Sequence, residues 1–202
     1  MRIVPARPGD VAKLLAFRSE AAAWLSGLGT DQWQLPYPAA RLLETIEDGT
    51  VFMVLDGSVT AATITVTPDA EAGLWAEREL SEPSMFINKL SVARTHAGRN
   101  IGGRLLDWAG DRARRAGAEW LRLDAWTTNK DLQAYYLRQG FEHVRTVLDG
   151  GAVNGGPRVS GWLAQRSTER TEHGFVDETP EPERPGGVQG VSRGGRDFRD
   201  TR

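Results

Sequence analysis

The sequence predicts a mixed α/β (α+β) fold, in which a single sheet of mixed strand direction carries helices. The runs at 50–55 and 58–66 are rich in β-branched residues and are close enough in sequence to form a hairpin. Farther along, apolar runs near 85–93 and at 120–126 flank a segment near 101–116 with helical periodicity. A hairpin followed by a strand, a helix and another strand places parallel and antiparallel neighbours in one sheet.

The first part of the chain predicts one short strand and two helices. Residues 3–4 form the strand, and Asp10 is the expected N-cap of the first helix. Apolar residues recur along that helix at helical spacing, and Arg18 alone interrupts its apolar face. A loop rich in aromatic residues and prolines covers 30–38, and 39–47 forms the second helix.

The remaining connections follow from turn-forming residues. Asp56-Gly57 predicts a type I′ hairpin turn, which needs positive φ at both central residues. Residues 67–84 are polar and predict an irregular loop. Phe141–Leu148 and Arg158–Leu163 predict two closing strands, with a glycine-rich turn over Asp149–Pro157.

The composition divides the chain into one domain and a tail. Residues 1–165 have the apolar content and length of a single domain with its own core. Residues 166–202 are rich in Arg, Glu, Gly and Pro and have almost no aliphatic side chains. Such a segment buries too little apolar surface to offset the entropy of ordering, so we expect it to be disordered and to act only in solubility.

Bulk properties exclude several classes of function. The net charge of −2 offers no basic field for nucleic acid. The absence of cysteine excludes disulfides, a thiolate nucleophile and cysteine-ligated metal, and the three histidines have no metal-ligand spacing. There is no signal-peptide pattern and no apolar run long enough for a membrane helix. We therefore expect a cytoplasmic protein without a metal and without nucleic-acid or membrane partners.

A glycine-containing loop, Ala97–Gly103, lies between the strand near 85–93 and the following helix. Consecutive backbone amides at a helix N-terminus bind anions, phosphate above all. Asn100 tolerates left-handed backbone and is also a good N-cap, so it suits the same turn. An ordinary turn into a helix would look similar. A second pattern follows 26 residues beyond Gly103: Asn129, then Tyr136, then Gly140-Phe141.

These two patterns, in this order and at this spacing, resemble the GCN5-related N-acetyltransferase (GNAT) superfamily. Its pyrophosphate signature, Gln/Arg-x-x-Gly-x-Gly/Ala, falls on 97–102, where Ala97 replaces Gln/Arg and Asn100 replaces the central Gly. Its second signature matches Asn129, Tyr136 and Gly140-Phe141 in register. The resemblance covers about residues 1–165 and is strongest over 85–147.

The resemblance implies a GNAT-like fold, a central, mostly antiparallel sheet with helices on both faces, in which the fourth and fifth strands splay apart. It implies an enzyme that transfers an acetyl group from acetyl-CoA to a primary amine of a small molecule or protein. The cofactor would lie against Leu90, Ser91, Val92, Gly98, Arg99, Asn100, Ile101, Gly102, Gly103, Asn129 and Tyr136.

The same resemblance suggests roles for the side chains. A backbone N–H around Leu90–Val92 would stabilise the oxyanion, although a plain buried strand explains that segment equally well. Tyr136 would protonate the departing thiolate, because a phenol of pKa about 10 can donate to a thiolate as it forms. Packing alone is the alternative for Tyr136. Asn129 would bond the pantetheine arm, cap a helix, or do both.

The general base is assigned least firmly. Asp124 is the first candidate, because it alternates with apolar neighbours and so lies on the opposite face of its strand. An ion pair or a capping role explains Asp124 equally well. Four aromatic residues could contact an acceptor amine by cation–π attraction or could fill the core: Trp24, Trp33, Tyr37 and Trp75.

Two functional readings remain open from the sequence. One is the N-acetyltransferase, with Tyr136 and Asp124 as catalytic residues. The other is a non-catalytic CoA-binding or sensing module, which the departures at Ala97 and Asn100 favour. A monomer and a homodimer are both compatible with the sequence, and the acceptor is not determined.

Overall fold

The structure is a computed structural model that describes residues 1–30, 32–149 and 159–182. The predicted glycine-rich turn after Asp149 and the tail beyond residue 182 lie outside these ranges. The α-helices in the described part are α1 (Val11–Gly27), α2 (Ala39–Glu47), α3 (Glu77–Leu80), α4 (Ile101–Arg115) and α5 (Lys130–Arg138). No helix in these ranges is both long and apolar enough to cross a membrane.

The strands make one sheet in the order β6-β7-β5-β4-β3-β2-β1-β8. Their bounds are β1 (Arg2–Pro5), β2 (Val51–Asp56), β3 (Val59–Thr67), β4 (Ser84–Val92), β5 (Trp120–Trp126), β6 (Glu142–Thr146), β7 (Ser160–Ser167) and β8 (Val176–Asp177). Only the β4–β5 and β1–β8 pairs are parallel. The predicted mixed, mostly antiparallel sheet is confirmed.

Helices cover both faces of the sheet, as β2 shows. Phe52 faces α4, where its ring meets that of Trp108 with centroids 5.0 Å apart. The next residue, Met53, faces the other side and packs in a separate cluster with Leu42 and Ile46 of α2. Because successive side chains of a strand point to opposite faces, β2 is apolar from Val51 to Leu55 rather than alternating.

The parallel strands β4 and β5 pair over only part of their length. Their register runs from Ser84 opposite Trp120 to Ile87 opposite Leu123, and no pairing follows. Just beyond that point β4 has a bulge, where Lys89 adopts a left-handed φ of 53°. A bulge bends the strand that carries it. The two strands therefore diverge, as the sequence analysis expected, and open a gap in the middle of the sheet.

Two local expectations need correction and one is refined. The hairpin turn is centred on Gly57-Ser58, since Asp56 pairs with Val59, and of these two only Gly57 has positive φ, which is the type II′ pattern. Asp10 is the N-cap residue of α1, as predicted, but its side chain accepts a hydrogen bond from the Arg7 N–H and makes no capping hydrogen bond to the helix. The predicted loop over 67–84 contains the helix α3.

The described part of the segment after residue 165 is packed, whereas we expected disorder from 166 onward. Strand β7 extends to Ser167, and β8 pairs with β1 at the sheet edge. Phe175 is 8% exposed, and the Trp108 Nε1 donates to Asp177 at 2.9 Å. Composition did not predict this packing, because the partners of this polar segment are the arginines and Trp108 of α4. Only the fold brings these partners near the segment.

Candidate active site

A cleft of about 810 Å³ lies at the diverging end of β4, between α1 and the start of α5. Leu90, Ser91 and Val92 line it from β4, and Asn129 lines it from the start of α5. A second cavity of about 440 Å³ shares Leu90 and Val92 with the cleft. The loop before α4 lines this second cavity, together with Tyr135: Ala97, Gly98, Asn100, Ile101 and Gly102. The cleft at the strand gap and the cavity at the glycine loop therefore form one continuous surface.

The loop that opens α4 has the geometry of an anion cradle. Gly98 has a φ of 77° and Asn100 a φ of 51°, so both occupy the left-handed region in which Gly and Asn are the favoured residues. Helix α4 starts at the next residue, Ile101, and its first amides face the loop. The Asn100 side chain makes no capping hydrogen bond. Asn100 thus replaces glycine through its backbone tolerance and not through N-capping.

Three of the predicted cofactor residues line neither cavity: Arg99, Gly103 and Tyr136. Arg99 pairs with Asp56 at 3.0 Å, and this hydrogen bond lowers the pKa of the Asp56 carboxyl below its usual range. A Cβ on Gly103 would lie 2.5 Å from the Asn100 Oδ1, which is a packing constraint within the helix turn. Arg94, which the sequence analysis did not single out, lines both cavities. The position of Arg94 between the end of a strand and the glycine loop could have identified it from the sequence.

The divergence of the strands leaves backbone donors facing the gap. The Ala93 N–H donates to the Ala61 carbonyl of the neighbouring chain segment at 2.8 Å. Because amides along a strand point alternately to its two sides, the Val92 N–H points the other way, toward β5. The pairing between β4 and β5 has ended by then. The Val92 amide is therefore placed to donate to a carbonyl oxygen in the cleft.

Asn129 caps α5, which is one of the two roles predicted for it. Its Oδ1 accepts from the Leu132 N–H at 3.0 Å, which caps α5. Its Nδ2 donates to the Oε1 of Gln32 at 3.0 Å, and both residues line the cleft. The cap fixes the orientation of the amide, so that its remaining hydrogen-bonding capacity faces the cleft.

The two neighbouring tyrosines of α5 have different environments. Tyr136 is 7% exposed, and its ring packs edge-on against Tyr135 and Phe141. Burial raises the pKa of Tyr136 well above its usual value, and the charges of Tyr135 and Asp124 add to the shift. Tyr135 is half-buried and lines the loop cavity, where burial raises its pKa to about 12. Both phenols therefore hold their protons at neutral pH.

Asp124 lies on the face of β5 opposite Leu123, as its alternation predicted. Its carboxylate accepts a hydrogen bond from the Ser160 hydroxyl of β7, in a short contact. Its charge contributes to the raised pKa of Tyr136. Neither Asp124 nor Tyr136 lines either cavity.

A third, small cavity of about 40 Å³ adjoins the cleft through Ser91, Phe17 and Trp33, which line both. Arg18, Tyr37 and Lys89 complete its polar and aromatic wall. Trp24 lines the main cleft, whereas Trp75 is a core residue stacked edge-on against Phe86 at 5.7 Å. Of the four aromatic candidates for an acceptor wall, Trp75 alone belongs to the core.

The rings of this wall are already occupied by cations of the protein itself. Arg18 lies 4.7 Å from the Trp33 ring centroid and 5.1 Å from that of Tyr37. Arg94 lies 4.0 Å from the centroid of Trp24. An acceptor amine that made the expected cation–π contact would therefore compete with the arginines already stacked on these rings.

A sheet whose middle strands diverge beside a glycine loop at a helix N-terminus is the arrangement that the resemblance implied. The chain belongs to the acetyltransferase (GNAT) family, whose model matches residues 18–141. The predicted superfamily and the prediction of an acyltransferase enzyme are confirmed. 

Individual relatives agree with the family assignment. An uncharacterized N-acetyltransferase, YesJ of Bacillus subtilis, is 27% identical over 72% of this chain and 84% of its own length. The aminoalkylphosphonate N-acetyltransferase of Salmonella typhimurium is 39% identical, over 28% of this chain and 36% of its own length. The putative acetyltransferase yncA of Salmonella typhimurium, solved with acetyl-CoA, superposes with a TM-score of 0.58 at 18% identity. That superposition covers 85% of this chain and 96% of yncA.

Proposed function

We propose that this protein is an acetyl-CoA-dependent N-acetyltransferase that acetylates a primary amine by direct attack of the amine on the thioester. The observation that carries the proposal is the continuity of the strand gap with the glycine loop. An elongated donor can place its pyrophosphate at the loop and its peptide-like arm between β4 and β5. The structure of yncA with acetyl-CoA supports this choice of donor.

The residues present fit such a donor. The amides from Gly98 to Gly102 supply several donors to a pyrophosphate at the N-terminus of α4. A larger residue at 102 would not fit, because a Cβ there would lie 2.5 Å from the Tyr135 hydroxyl oxygen. Farther along, the arm would meet Asn129 and the free edge of β4 in the cleft.

In this proposal the protein polarises the thioester carbonyl and transfers protons to and from the reacting groups. Acetyl-CoA supplies the activated acetyl group. The Val92 N–H polarises the carbonyl oxygen, which gains negative charge as the amine attacks. Tyr136 donates its proton to the sulfur as the carbon–sulfur bond breaks, and its raised pKa keeps it protonated until then.

The amine must also lose one proton as the carbon–nitrogen bond forms. Asp124 accepts this proton in our proposal, through water, and passing it on to Tyr136 resets both groups. One proton leaves the nitrogen and one reaches the sulfur, so the step balances. Because neither group lines the cleft, the role of Tyr136 requires that the bound arm reach its hydroxyl.

Calorimetric titration with acetyl-CoA tests the donor. We expect micromolar binding to acetyl-CoA and much weaker binding to adenosine diphosphate, because the diphosphate lacks the arm that fills the strand gap. A screen of primary amines for acceptor-dependent thiol release then tests transfer. The absence of binding at millimolar acetyl-CoA would refute the donor assignment. Tight binding with no thiol release for any amine would favour the non-catalytic module.

A further inference from the structure

Two cationic side chains from different parts of the chain converge on one aromatic ring. The Lys89 Nζ lies 4.8 Å from the centroid of Tyr37, and the Arg18 guanidinium carbon lies 5.1 Å from the same centroid. Arg18 comes from α1, and Lys89 comes from the bulge of β4, whose left-handed backbone redirects the side chain. The two charges thus meet in the small cavity beside the cleft.

Within residues 1–30, 32–149 and 159–182, no carboxylate forms an ion pair with either of these two cations, which stack on the rings of Trp33 and Tyr37. Arg122 and Arg145, by contrast, each pair with a glutamate. Arg18 is half-buried, and this burial lowers its pKa. Two convergent, partly desolvated cations cost stability unless an anion joins them.

A third group of the same cavity also lacks a partner. The Tyr37 hydroxyl is buried and makes no hydrogen bond with any described residue. A buried hydroxyl without a partner costs about 1–3 kcal/mol, so such groups are rare in native proteins. Thr63, Thr65 and Ser91 bring further hydroxyls to the cavity wall. Two cations and several hydroxyl donors form a suitable environment for a carboxylate, phosphonate or phosphate.

The cavity lies beside the proposed reaction centre. Ser91 lines both the cavity and the cleft, and Lys89 is three residues before Val92, the proposed donor to the acyl carbonyl. Three residues of strand span at most about 10 Å, and the bulge at Lys89 shortens that span. A short acceptor could therefore place its amine at the thioester and its anion against Arg18 and Lys89.

Resting on the proposed function, we propose that the acceptor is a small aliphatic amine that carries an anionic group, which Arg18, Lys89 and the Tyr37 hydroxyl bind. The cavity of about 40 Å³ holds little more than one water molecule. The Trp33 ring covers Arg18 and has to move aside when the anion enters. Dicationic amines are disfavoured, because their second charge would face the two cations.

The test compares acceptors that share an aminoethyl frame: 2-aminoethylphosphonate, β-alanine, propylamine and 1,3-diaminopropane. We expect kcat/KM to be at least tenfold higher for one of the two anionic amines than for propylamine, and lowest for the diamine. The two anionic amines distinguish a phosphonate site from a carboxylate site. Arg18→Gln and Lys89→Gln should each lower kcat/KM for the preferred anionic amine by about 10- to 100-fold. The ratio of kcat/KM for that amine to kcat/KM for propylamine should fall in both variants.

Lys13→Gln is the matched control, because it removes a positive charge from the exposed side of the same helix, where Lys13 pairs with Asp10. It should leave the acceptor preference unchanged. Ethylphosphonate and propionate, which have no amine, provide a binding readout that needs no turnover. One of them should raise the melting temperature of the wild type and lose this effect in Arg18→Gln.

Equal kcat/KM for the anionic amines and propylamine, or an unchanged preference in both Gln variants, would overturn the anion site. Either result can occur while acetyl-CoA binds and amines are acetylated, so the proposed function would survive. If acetyl-CoA does not bind, the proposed function fails, and the melting-temperature shift by the amine-free anions still tests the site.

Discussion

The two ends of the cleft, where we propose that the cofactor and the acceptor bind, are built in different ways. At the cofactor end, backbone amides of one continuous segment, Gly98–Gly102, form the surface. At the acceptor end, side chains from three separate segments meet: Arg18 of α1, Tyr37 of the following loop and Lys89 of β4. The cofactor end depends on local conformation and is therefore visible as a motif. The acceptor end depends on long-range packing and has no motif.

This difference predicts that binding of the cofactor is insensitive to side-chain substitution, whereas binding of the acceptor changes with it. Backbone donors do not change when side chains are substituted, provided that the glycines and Asn100 keep their left-handed conformations. Side-chain contacts from loops and bulges change with each substitution. The predictions below test whether the two ends fail in these different ways, beginning with the largest expected effect.

Tyr136→Phe should lower kcat by about 10²- to 10⁴-fold, since it removes the proposed proton donor but keeps the ring that packs against Phe141. Steady-state kinetics and calorimetry with acetyl-CoA measure this, and the dissociation constant should change little. Tyr135→Phe is the matched control. Its hydroxyl lies in the loop cavity, so kcat should stay within a few fold. If Tyr135→Phe has the larger effect on kcat, the acid has been assigned to the wrong tyrosine.

Gly98→Ala should raise the KM for acetyl-CoA by about tenfold, because a left-handed backbone costs an L-residue about 1–2 kcal/mol. No neighbouring atom lies within 4 Å of a Cβ at this position, so the effect reports conformation and not a clash. Gly117→Ala imposes the same strain, with a φ of 88°, at the far end of α4. It should lower the melting temperature similarly and leave the KM unchanged. A rise in KM in both variants would indicate general destabilisation.

Tyr37→Phe should raise the acceptor KM by about fivefold, which corresponds to about 1 kcal/mol for one hydrogen bond. The melting temperature should stay constant or increase, because the buried hydroxyl has no partner within the described residues. Differential scanning fluorimetry and acceptor kinetics on the same preparations separate the two effects. A clear loss of stability with no change in acceptor KM would assign the hydroxyl to the fold instead.

Asp177→Asn is the control for both ends of the cleft, because Asp177 lies at neither end. Its side chain connects β8 to α4. Burial opposes its ionisation, but hydrogen bonds from Thr179 and Trp108 and the charge of Arg115 outweigh burial and lower its pKa. A lowered pKa stabilises the fold above the usual carboxyl value of about 3.9, and this contribution is lost as the pH falls through the folded value. Urea unfolding at neutral pH should show a loss of about 1 kcal/mol in the variant.

The loss in Asp177→Asn should shrink at acidic pH, where the wild-type carboxyl is protonated. Kinetic constants for both substrates should equal those of the wild type at neutral pH. A difference in unfolding free energy that is the same at all pH values would show that the charge of Asp177 does not hold the segment.

Sequence alone determined the features that depend on local order along the chain. The bounds of β5, the helix carrying Tyr136 and the glycine loop before α4 all follow from periodicity and turn chemistry within short segments. The family assignment rests on Asn129, Tyr136 and Gly140-Phe141, whose spacing fixes their places on one turn and one helix.

Tertiary structure decided what depends on contacts between distant segments. The packing of Phe175 and Asp177 on α4 was missed because their partners lie far away in the chain. The convergence of Arg18 and Lys89 was missed for the same reason, since one lies on a helix and the other on a bulge. Local propensity reports only neighbouring residues, whereas burial and ion pairing depend on the complete fold.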